Sequence, residues 1–241
     1  MDGVPAVSDE TLSALREIPT QTLIDALWVK EWPIGYIAGA LPLQPGQRMA
    51  GRAVTLRFVP HRPDLAEDKP KGDRSAEYVA IELCGPGEVL VIDAMGWQYS
   101  SVGGDIKFMR MMQLGAGGLV TDGAVRDSNT LKEYGFPVYS GAVTARQGPA
   151  DFWPWQVNDA IQCGRVLVRP GDVLVGDDDG VAVVPQGIVD EVIRIAHERE
   201  EVEEVVKAQL EIERCSPGKY YPFNDRTWEL FQRKTGKSRP G

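Results

Sequence analysis

Two short segments carry residue types that could do chemistry together. The first is Asp122-Gly123-Ala124-Val125-Arg126-Asp127, which follows an apolar stretch, and the second is Gly103-Gly104-Asp105. Arginine offers a forked, permanently charged group for a carboxylate, and an adjacent aspartate offers a hard oxygen ligand for Mg²⁺ or Mn²⁺. Together they predict a site for a metal-bound acidic small molecule. Taken alone, the residues favour a simpler interpretation, a helix start with Asp127 stabilising the dipole and Arg126 at the surface.

The glycine pair Gly103-Gly104 also has two interpretations. At a helix start, free backbone N–H groups and the positive end of the dipole can hold a carboxylate or enolate oxygen. An ordinary loop-to-helix turn explains the pair equally well. The order strand, GxGxxG, helix is missing, so no dinucleotide site is expected. The run Asp177-Asp178-Asp179-Gly180 lacks the spacing of a calcium loop and predicts an Asp-rich turn before a strand.

The elements that must position these residues alternate between strands and helices. Apolar segments predict strands at Glu88–Asp93 and 118–121, and helices at Asp105–Leu114 and 126–134. Such alternation predicts an α/β fold. The remaining predictions are a helix N-cap at Ser8 and another at Thr20, a strand at 49–59, a surface loop at 60–74, a helix at 75–83, an edge strand containing Pro137 at 136–139, a β-meander at 166–184 and a long helix at 186–214.

Length, composition and charge limit the class of protein. The chain has 241 residues, 43% hydrophobic and 25% charged, with a net charge of -9. It therefore suits one globular domain, predicted as residues 1–214, followed by a tail, 215–241, that docks on the domain or on a neighbouring subunit. An acidic chain without a basic stripe predicts no nucleic-acid partner, and no apolar run reaches the roughly 20 residues of a membrane span. The N-terminus does not resemble a signal peptide, and three scattered cysteines fit a cytoplasmic location.

The residues named above resemble a known family. Asp105 is followed by twenty residues and then by Arg126-Asp127, a spacing similar to the signature of the RraA-like superfamily. This superfamily includes class II pyruvate aldolases, which act on 4-hydroxy-4-methyl-2-oxoglutarate and 4-carboxy-4-hydroxy-2-oxoadipate, and the regulator of ribonuclease E activity. The similarity covers about residues 20–207, with supporting matches in TQTLIDAL from Thr20, GRAVT from Gly51, VRPGD from Val168 and GDDDGV from Gly176.

The resemblance implies a fold, an assembly and residue roles. The fold is an α/β/β/α sandwich resembling swivelling β/β/α domains, here with a C-terminal helical extension, and it assembles as homotrimers or homohexamers with sites between subunits. Asp127 holds a divalent metal, Mg²⁺ or Mn²⁺, while Arg126 binds the substrate's carboxylate or carbonyl side. Asp105 holds metal-bound or catalytic water, and backbone amides from Gly104 to Ile106 contact substrate oxygens. A glutamate of the neighbouring subunit's C-terminal helix joins the water network; Glu203 is the first candidate and Glu200 the second.

One position departs from the aldolase pattern. That pattern has Glu or Asp three residues after the Arg-Asp pair, where this chain has Thr130. A hydroxyl cannot supply the charge of a carboxylate, which predicts a different metal affinity or water shell. The same departure suggests an alternative, a relative that acts on an unfamiliar substrate such as a sugar-derived 2-oxo acid.

The predicted activity is metal-dependent cleavage of a small 2-oxo acid. Retro-aldol cleavage of a 4-hydroxy-2-oxo acid and decarboxylation of oxaloacetate both pass through a pyruvate enolate, whose charge a divalent ion and Arg126 can stabilise. Lys107 and Lys132 are the lysines near the cluster, and a Schiff base on either would require burial to lower its pKa. The alternative is a non-catalytic regulator that binds a partner protein. Retention of Asp105 and Asp127 favours the enzyme.

Overall fold

The apolar segments form strands and helices in the computed structural model, which describes residues 5–239. The strands are β1 (Leu41–Pro42), β2 (Met49–Pro60), β3 (Glu88–Asp93), β4 (Gly118–Val125), β5 (Val138–Val143), β6 (Phe152–Val157), β7 (Ile161–Cys163), β8 (Val166–Val168), β9 (Val173–Asp177) and β10 (Gly180–Val184). The helices are α1 (Asp9–Glu17), α2 (Thr20–Val29), α3 (Ala76–Glu82), α4 (Asp105–Leu114), α5 (Ser128–Tyr134), α6 (Val189–Glu213) and α7 (Asp225–Thr235).

A mixed sheet organises the molecule. Its strand order is β1-β5-β4-β3-β2-β9-β10, and β2 to β5 run parallel at its centre. The long strand β2 pairs antiparallel with β9 through its first residues and with β6 through its last. Because β10 also contacts β1, the sheet curls towards closure. The carboxyl ends of four parallel strands thus meet at one edge, where α/β proteins commonly bind ligands.

Three hydrophobic layers confirm the predicted α/β/β/α arrangement. Helices α3, α4 and α5 cover one face of the sheet around Phe108 and Met111. Helices α1, α2 and α6 form the other helical layer, which packs on the sheet around Leu15 and Leu27. Between the two halves of the curled sheet lies a third core, which includes Tyr139 and the inward residues of the β7–β8 hairpin. Strand residues alternate between these cores, as the two-residue period of a strand requires.

Two strand predictions were wrong. The segment 166–184 is not a continuous meander, because β8 pairs with β7 in a separate two-stranded sheet while β9 pairs with β10 and β2. The strand predicted at the edge lies inside the sheet, between β4 and the short β1. Pro137 precedes the first residue of β5, so its missing N–H interrupts no ladder there.

The start of α2 also differs from prediction. Ser8 caps α1 as expected, since its side chain accepts from the Thr11 N–H. Thr20, in contrast, is the first helical residue, and the N-cap position is Pro19. The Asp177 carboxylate accepts hydrogen bonds from the Thr20 N–H at 2.9 Å and from its hydroxyl at 2.7 Å. The Asp-rich run is therefore a turn, as predicted. Asp177, at the end of the distant strand β9, caps α2 in place of a side chain next to the helix.

The C-terminal segment packs on α6 of the same chain. Val202 and Val206 of α6 form a small core with Tyr220, Leu230 and Phe231. This contact agrees with a docked helical extension, whereas the domain boundary at residue 214 stays a prediction. Residues 1–4, part of the segment judged not to be a signal peptide, and residues 240–241 of the tail lie outside the described residues.

Candidate functional site

The glycine turn before α4 is attached to the end of β4. The Val102 N–H donates to the Ala124 carbonyl at 2.8 Å, and the Arg126 N–H donates to the Gly103 carbonyl at 3.1 Å. Two segments some twenty residues apart in sequence thereby become neighbours. The tertiary fold brings the predicted group Gly104, Asp105, Arg126 and Asp127 together at the carboxyl end of a parallel strand.

Asp127 turns its carboxylate towards the glycine turn. Its backbone is left-handed, with φ of 56°, a conformation that Asp tolerates better than most residues. Although Asp127 occupies the N-cap position of α5, its side chain does not cap that helix. Instead, Oδ2 accepts from the Asp105 N–H at 3.2 Å and lies 3.3 Å from Nε of Arg126. Among residues 5–239, no group donates to Oδ1 of Asp127, which leaves a hard oxygen available.

Gly104 is required by this packing. A Cβ atom at Gly104 would lie 2.1 Å from Oδ2 of Asp127 and 2.9 Å from Cγ of Arg126. The backbone of Gly104 is extended, so steric fit and not an unusual dihedral angle selects glycine here. The Gly104 N–H, at the buried start of α4, donates to no acceptor in the described chain. It is therefore an unused donor at the start of α4, next in sequence to the Asp105 N–H that binds Asp127.

The other predicted amides are already engaged. The Asp105 N–H donates to Asp127, and the Ile106 N–H donates to Oδ1 of Asp105 at 2.8 Å. A ligand that used these amides would compete with the two carboxylates, and their role in binding substrate stays a prediction. The side chains of Arg126 and Asp127 are 43% and 35% exposed, so the site is open to a small molecule.

A partly buried ion pair between helices α4 and α3 holds the backbone just before Gly103 and Gly104. Nζ of Lys107 pairs with Glu77 of α3 and donates to the Val102 carbonyl at 3.1 Å. The ammonium group thus fixes the residue that precedes the glycine pair. This contact was not predicted from the sequence, because Glu77 lies thirty residues away on another helix.

Asp122 has a structural role that separates it from its neighbours in the motif. It is buried, and its carboxylate accepts from the backbone N–H groups of Ala94, Gly96 and Gly164 and from Nε2 of Gln162, at 2.8–3.2 Å. These bonds order the chain between β3 and α4, which carries the glycine turn. The β4–β5 register shifts between Thr121 and Ala124, an irregularity of the kind that re-aims side chains.

Glu203 lies away from this group within the chain. It pairs with Lys207 at 3.5 Å and, with Glu200, borders a cleft against Asp25 of α2. No contact in the described part of the chain joins Glu203 or Glu200 to Arg126 or Asp127. The prediction placed this glutamate in a neighbouring subunit's site, so it remains a prediction.

Comparisons with known proteins identify the family. A model described as RraA-like, Aldolase/RraA, matches residues 20–183, which contain the complete group of Gly104, Asp105, Arg126 and Asp127. The chain belongs to the RraA-like family. A curated relative from Halalkalibacterium halodurans, named "Putative 4-hydroxy-4-methyl-2-oxoglutarate aldolase", is 31% identical over 189 residues, 78% of this chain and 83% of that protein.

Solved structures of RraA proteins share the fold. Streptomyces coelicolor RraAS2, described as an unusual member of the RNase ES inhibitor RraA protein family, is 29% identical with a TM-score of 0.75 and covers 84% of this chain and 98% of its own. The RNA-processing inhibitor RraA from Thermus thermophilis is 26% identical with a TM-score of 0.53 and covers 70% of this chain and 93% of its own. The resemblance and fold class predicted from the sequence are confirmed.

In the described residues, no helix has the length and apolar character that crossing a membrane requires.

Proposed function

We propose that this RraA-like protein is a divalent-metal-dependent lyase that cleaves a small 2-oxo acid through a pyruvate enolate. The observation that carries the proposal is the close approach of Asp127, Arg126 and Gly104, which brings a partly exposed carboxylate and guanidinium against the glycine turn. The aldolase name of the relative from Halalkalibacterium halodurans supports the same class of reaction.

The residues present fit a Mg²⁺ or Mn²⁺ ion. Asp127 would hold it through Oδ1, and the second oxygen of Asp105, the one that does not accept from Ile106, lies on the same turn. One or two carboxylates, with substrate and water completing the shell, is the usual way proteins bind Mg²⁺. No cluster of three or more His, Cys, Asp or Glu ligands occurs among residues 5–239, so the proposal rests on the two carboxylates alone.

A bound divalent ion would supply Lewis acidity for the 2-oxo group. Arg126 binds the carboxylate of the substrate, because its guanidinium is permanently charged and partly exposed. The Gly104 N–H donates to a substrate oxygen and adds a fixed dipole where negative charge develops. Asp105 accepts a hydrogen bond from a water molecule and so holds the proton carrier. Lys107 pairs with Glu77 and is given no role in this chemistry.

Pyruvate release tests the proposal. Purified protein is coupled to lactate dehydrogenase and NADH, with oxaloacetate or 4-hydroxy-4-methyl-2-oxoglutarate as substrate, in Mg²⁺ or Mn²⁺ and then in EDTA. We expect release above the metal-only background, abolished by EDTA. A sugar-derived 2-oxo acid, followed by direct detection of its products, covers the substrate suggested by Thr130.

Asp127→Asn is the sharper variant, with Asp127→Ala beside it. Asparagine tolerates the left-handed backbone of position 127 but removes the charge, so the fold is retained while metal-dependent turnover is lost. Asp68→Asn on the exposed loop is the matched control and should retain full activity. Full activity of Asp127→Asn contradicts the metal assignment.

A homotrimer or homohexamer forms part of the proposal. Glu203 pairs with Lys207 and makes no contact with Arg126 or Asp127 within the described part of its own subunit, so the proposal is that a neighbouring copy supplies it. Light scattering after gel filtration gives the assembly, and Glu203→Gln is expected to lower turnover while the assembly persists. A cytoplasmic location remains a prediction from the sequence.

The second candidate is a regulator that binds a partner protein. The likeness to Streptomyces coelicolor RraAS2, an RNase ES inhibitor family member, favours it. If no 2-oxo acid is cleaved in either metal, inhibition of a ribonuclease E-type enzyme by the wild-type chain decides for the regulator.

A further inference from the structure

A cavity separate from the proposed lyase site opens at the mouth of the curled sheet. Its volume is about 590 Å³, and it is lined by residues from the carboxyl ends of β2 and β3, the β3–α4 segment and the β7–β8 hairpin. Its polar side chains are those of Arg57, Asp93, Gln98, Asp122, Gln162 and Arg165. Cavities at the mouths of barrels are common ligand sites.

Asp93 has an unused acceptor at this cavity. The residue is only 5% exposed, and its Oδ1 accepts from the Met95 N–H at 2.8 Å and from Nε2 of Gln162 at 2.6 Å. No group in residues 5–239 donates to Oδ2. Burial is the main cause that raises the pKa of Asp93, and the negative charge of Asp122 adds to it. Oδ2 of Asp93 therefore lies at the accessible wall of the cavity, where it can accept a hydrogen bond from a ligand.

Two arginines give the rim the opposite charge. Arg57 is the register partner of Asp93 on the adjacent parallel strand, so both project to the same face. Its guanidinium is held by Oε1 of Gln156 at 3.0 Å. Arg165 is exposed at the turn of the β7–β8 hairpin, with φ of 70°. The Arg165 side chain forms no ion pair within the described chain. This left-handed conformation, shared with Gly164, is the one that a two-residue hairpin turn requires, and it places the Arg165 side chain at the tip of the hairpin.

We propose that this cavity binds a small zwitterion, with its ammonium group on Asp93 and its carboxylate on Arg57 and Arg165. The Asp93 and Asp122 carboxylates lie close enough to share one amide donor, Nε2 of Gln162. Because two carboxylates meet there, a positively charged ammonium group suits the position beside Asp93 better than a neutral hydroxyl. The oxygens of Asp122 are occupied by N–H donors, which leaves Asp93 as the acceptor.

This cavity lies on a different side of the sheet from the proposed lyase site. Asp93 and Arg57 follow residues of the inner core, Val91 and Ala53, along their strands. The glycine turn and α4 belong to the outer helical layer. Gly104, Asp105, Arg126 and Asp127 do not line the cavity, so substitutions of Asp93, Arg57 and Arg165 test it separately from the lyase site.

Calorimetric titration of the full chain tests the proposal with probes that carry one or both charges. The zwitterions are glycine, 4-aminobutyrate and 6-aminohexanoate, which span different charge separations, and the single-charge probes are butyrate and butylamine. We expect at least one zwitterion to bind about tenfold more tightly than either single-charge probe, as two charge-assisted contacts require. Equal binding of all probes, or no binding at millimolar concentration, overturns the proposal.

Variants assign the two ends of the ligand. Asp93→Asn and the double variant Arg57→Gln/Arg165→Gln should each weaken zwitterion binding about tenfold or more. Arg62→Gln on the surface loop and Asp127→Asn at the lyase site are controls that should bind as wild type. Unchanged binding in the double variant overturns the carboxylate assignment, and this holds even if Asp93→Asn fails to fold. Unchanged binding in folded Asp93→Asn overturns the ammonium assignment.

Discussion

Replacing Gly104 with alanine perturbs the proposed lyase site without removing any functional group. The new methyl would lie 2.1 Å from Oδ2 of Asp127, 2.9 Å from Cγ of Arg126 and 3.0 Å from Nε of Arg126. Normal contact with Oδ2 requires a retreat of more than about 1 Å. The backbone conformation of Gly104 is open to alanine, so the whole effect falls on these two side chains.

The magnitude follows from this displacement. A misplacement of about 1 Å in a catalytic group costs on the order of 100-fold in rate, or about 2.7 kcal/mol of transition-state stabilisation. The side chains of Arg126 and Asp127 are partly exposed and can move, so the free energy of unfolding should change by about 1 kcal/mol or less. The expected signature of Gly104→Ala is thus a large kinetic loss in a protein of nearly normal stability.

Three measurements check this signature. The pyruvate assay gives kcat/KM, titration with Mn²⁺ followed by electron paramagnetic resonance gives metal affinity, and urea unfolding gives stability. Gly187→Ala is the matched control, because a Cβ there meets no atom within 4 Å. The reasoning is refuted if Gly104→Ala keeps wild-type kcat/KM and Mn²⁺ affinity, or if Gly187→Ala loses activity equally.

Further predictions address substrate binding by Arg126, the stability that Asp122 contributes and the pH dependence of stability. Arg126→Gln should lower kcat/KM for a 2-oxo acid about 10- to 100-fold through loss of a charged contact, measured in the pyruvate assay; an unchanged value contradicts its role. Asp122→Asn should lower the free energy of unfolding in urea by about 1–3 kcal/mol, because an amide nitrogen would face N–H donors; wild-type stability contradicts this. Burial chiefly raises the pKa of Asp172, so its contribution to stability is full below the unfolded value of about 3.9 and is lost as pH rises through the raised folded pKa. Over that pH range, the free energy of unfolding measured in urea should depend less on pH in Asp172→Asn than in the wild type. An identical pH dependence in the two proteins would contradict the raised pKa of Asp172.

Several features of the fold were predictable because they depend on neighbouring residues. The apolar period placed α4 at Asp105–Leu114 and β3 at Glu88–Asp93, as the structure has them. Ser8 was recognisable as a cap because it binds Thr11 only three residues away. The cap of α2 was not, since its acceptor belongs to Asp177, 157 residues from Thr20.

The sequence by itself determined the α/β class, the family and the residue types of the proposed site. The pairing of Arg126 with Asp127 and the glycines before Asp105 are local patterns, readable without coordinates. Only the tertiary structure decided that Asp127 meets the Asp105 N–H across 22 positions. It also separated Asp122, which orders the backbone, from Asp127, which keeps an open oxygen. Local patterns reflect short-range backbone preferences, whereas strand register and loop closure place distant side chains on one face or the other.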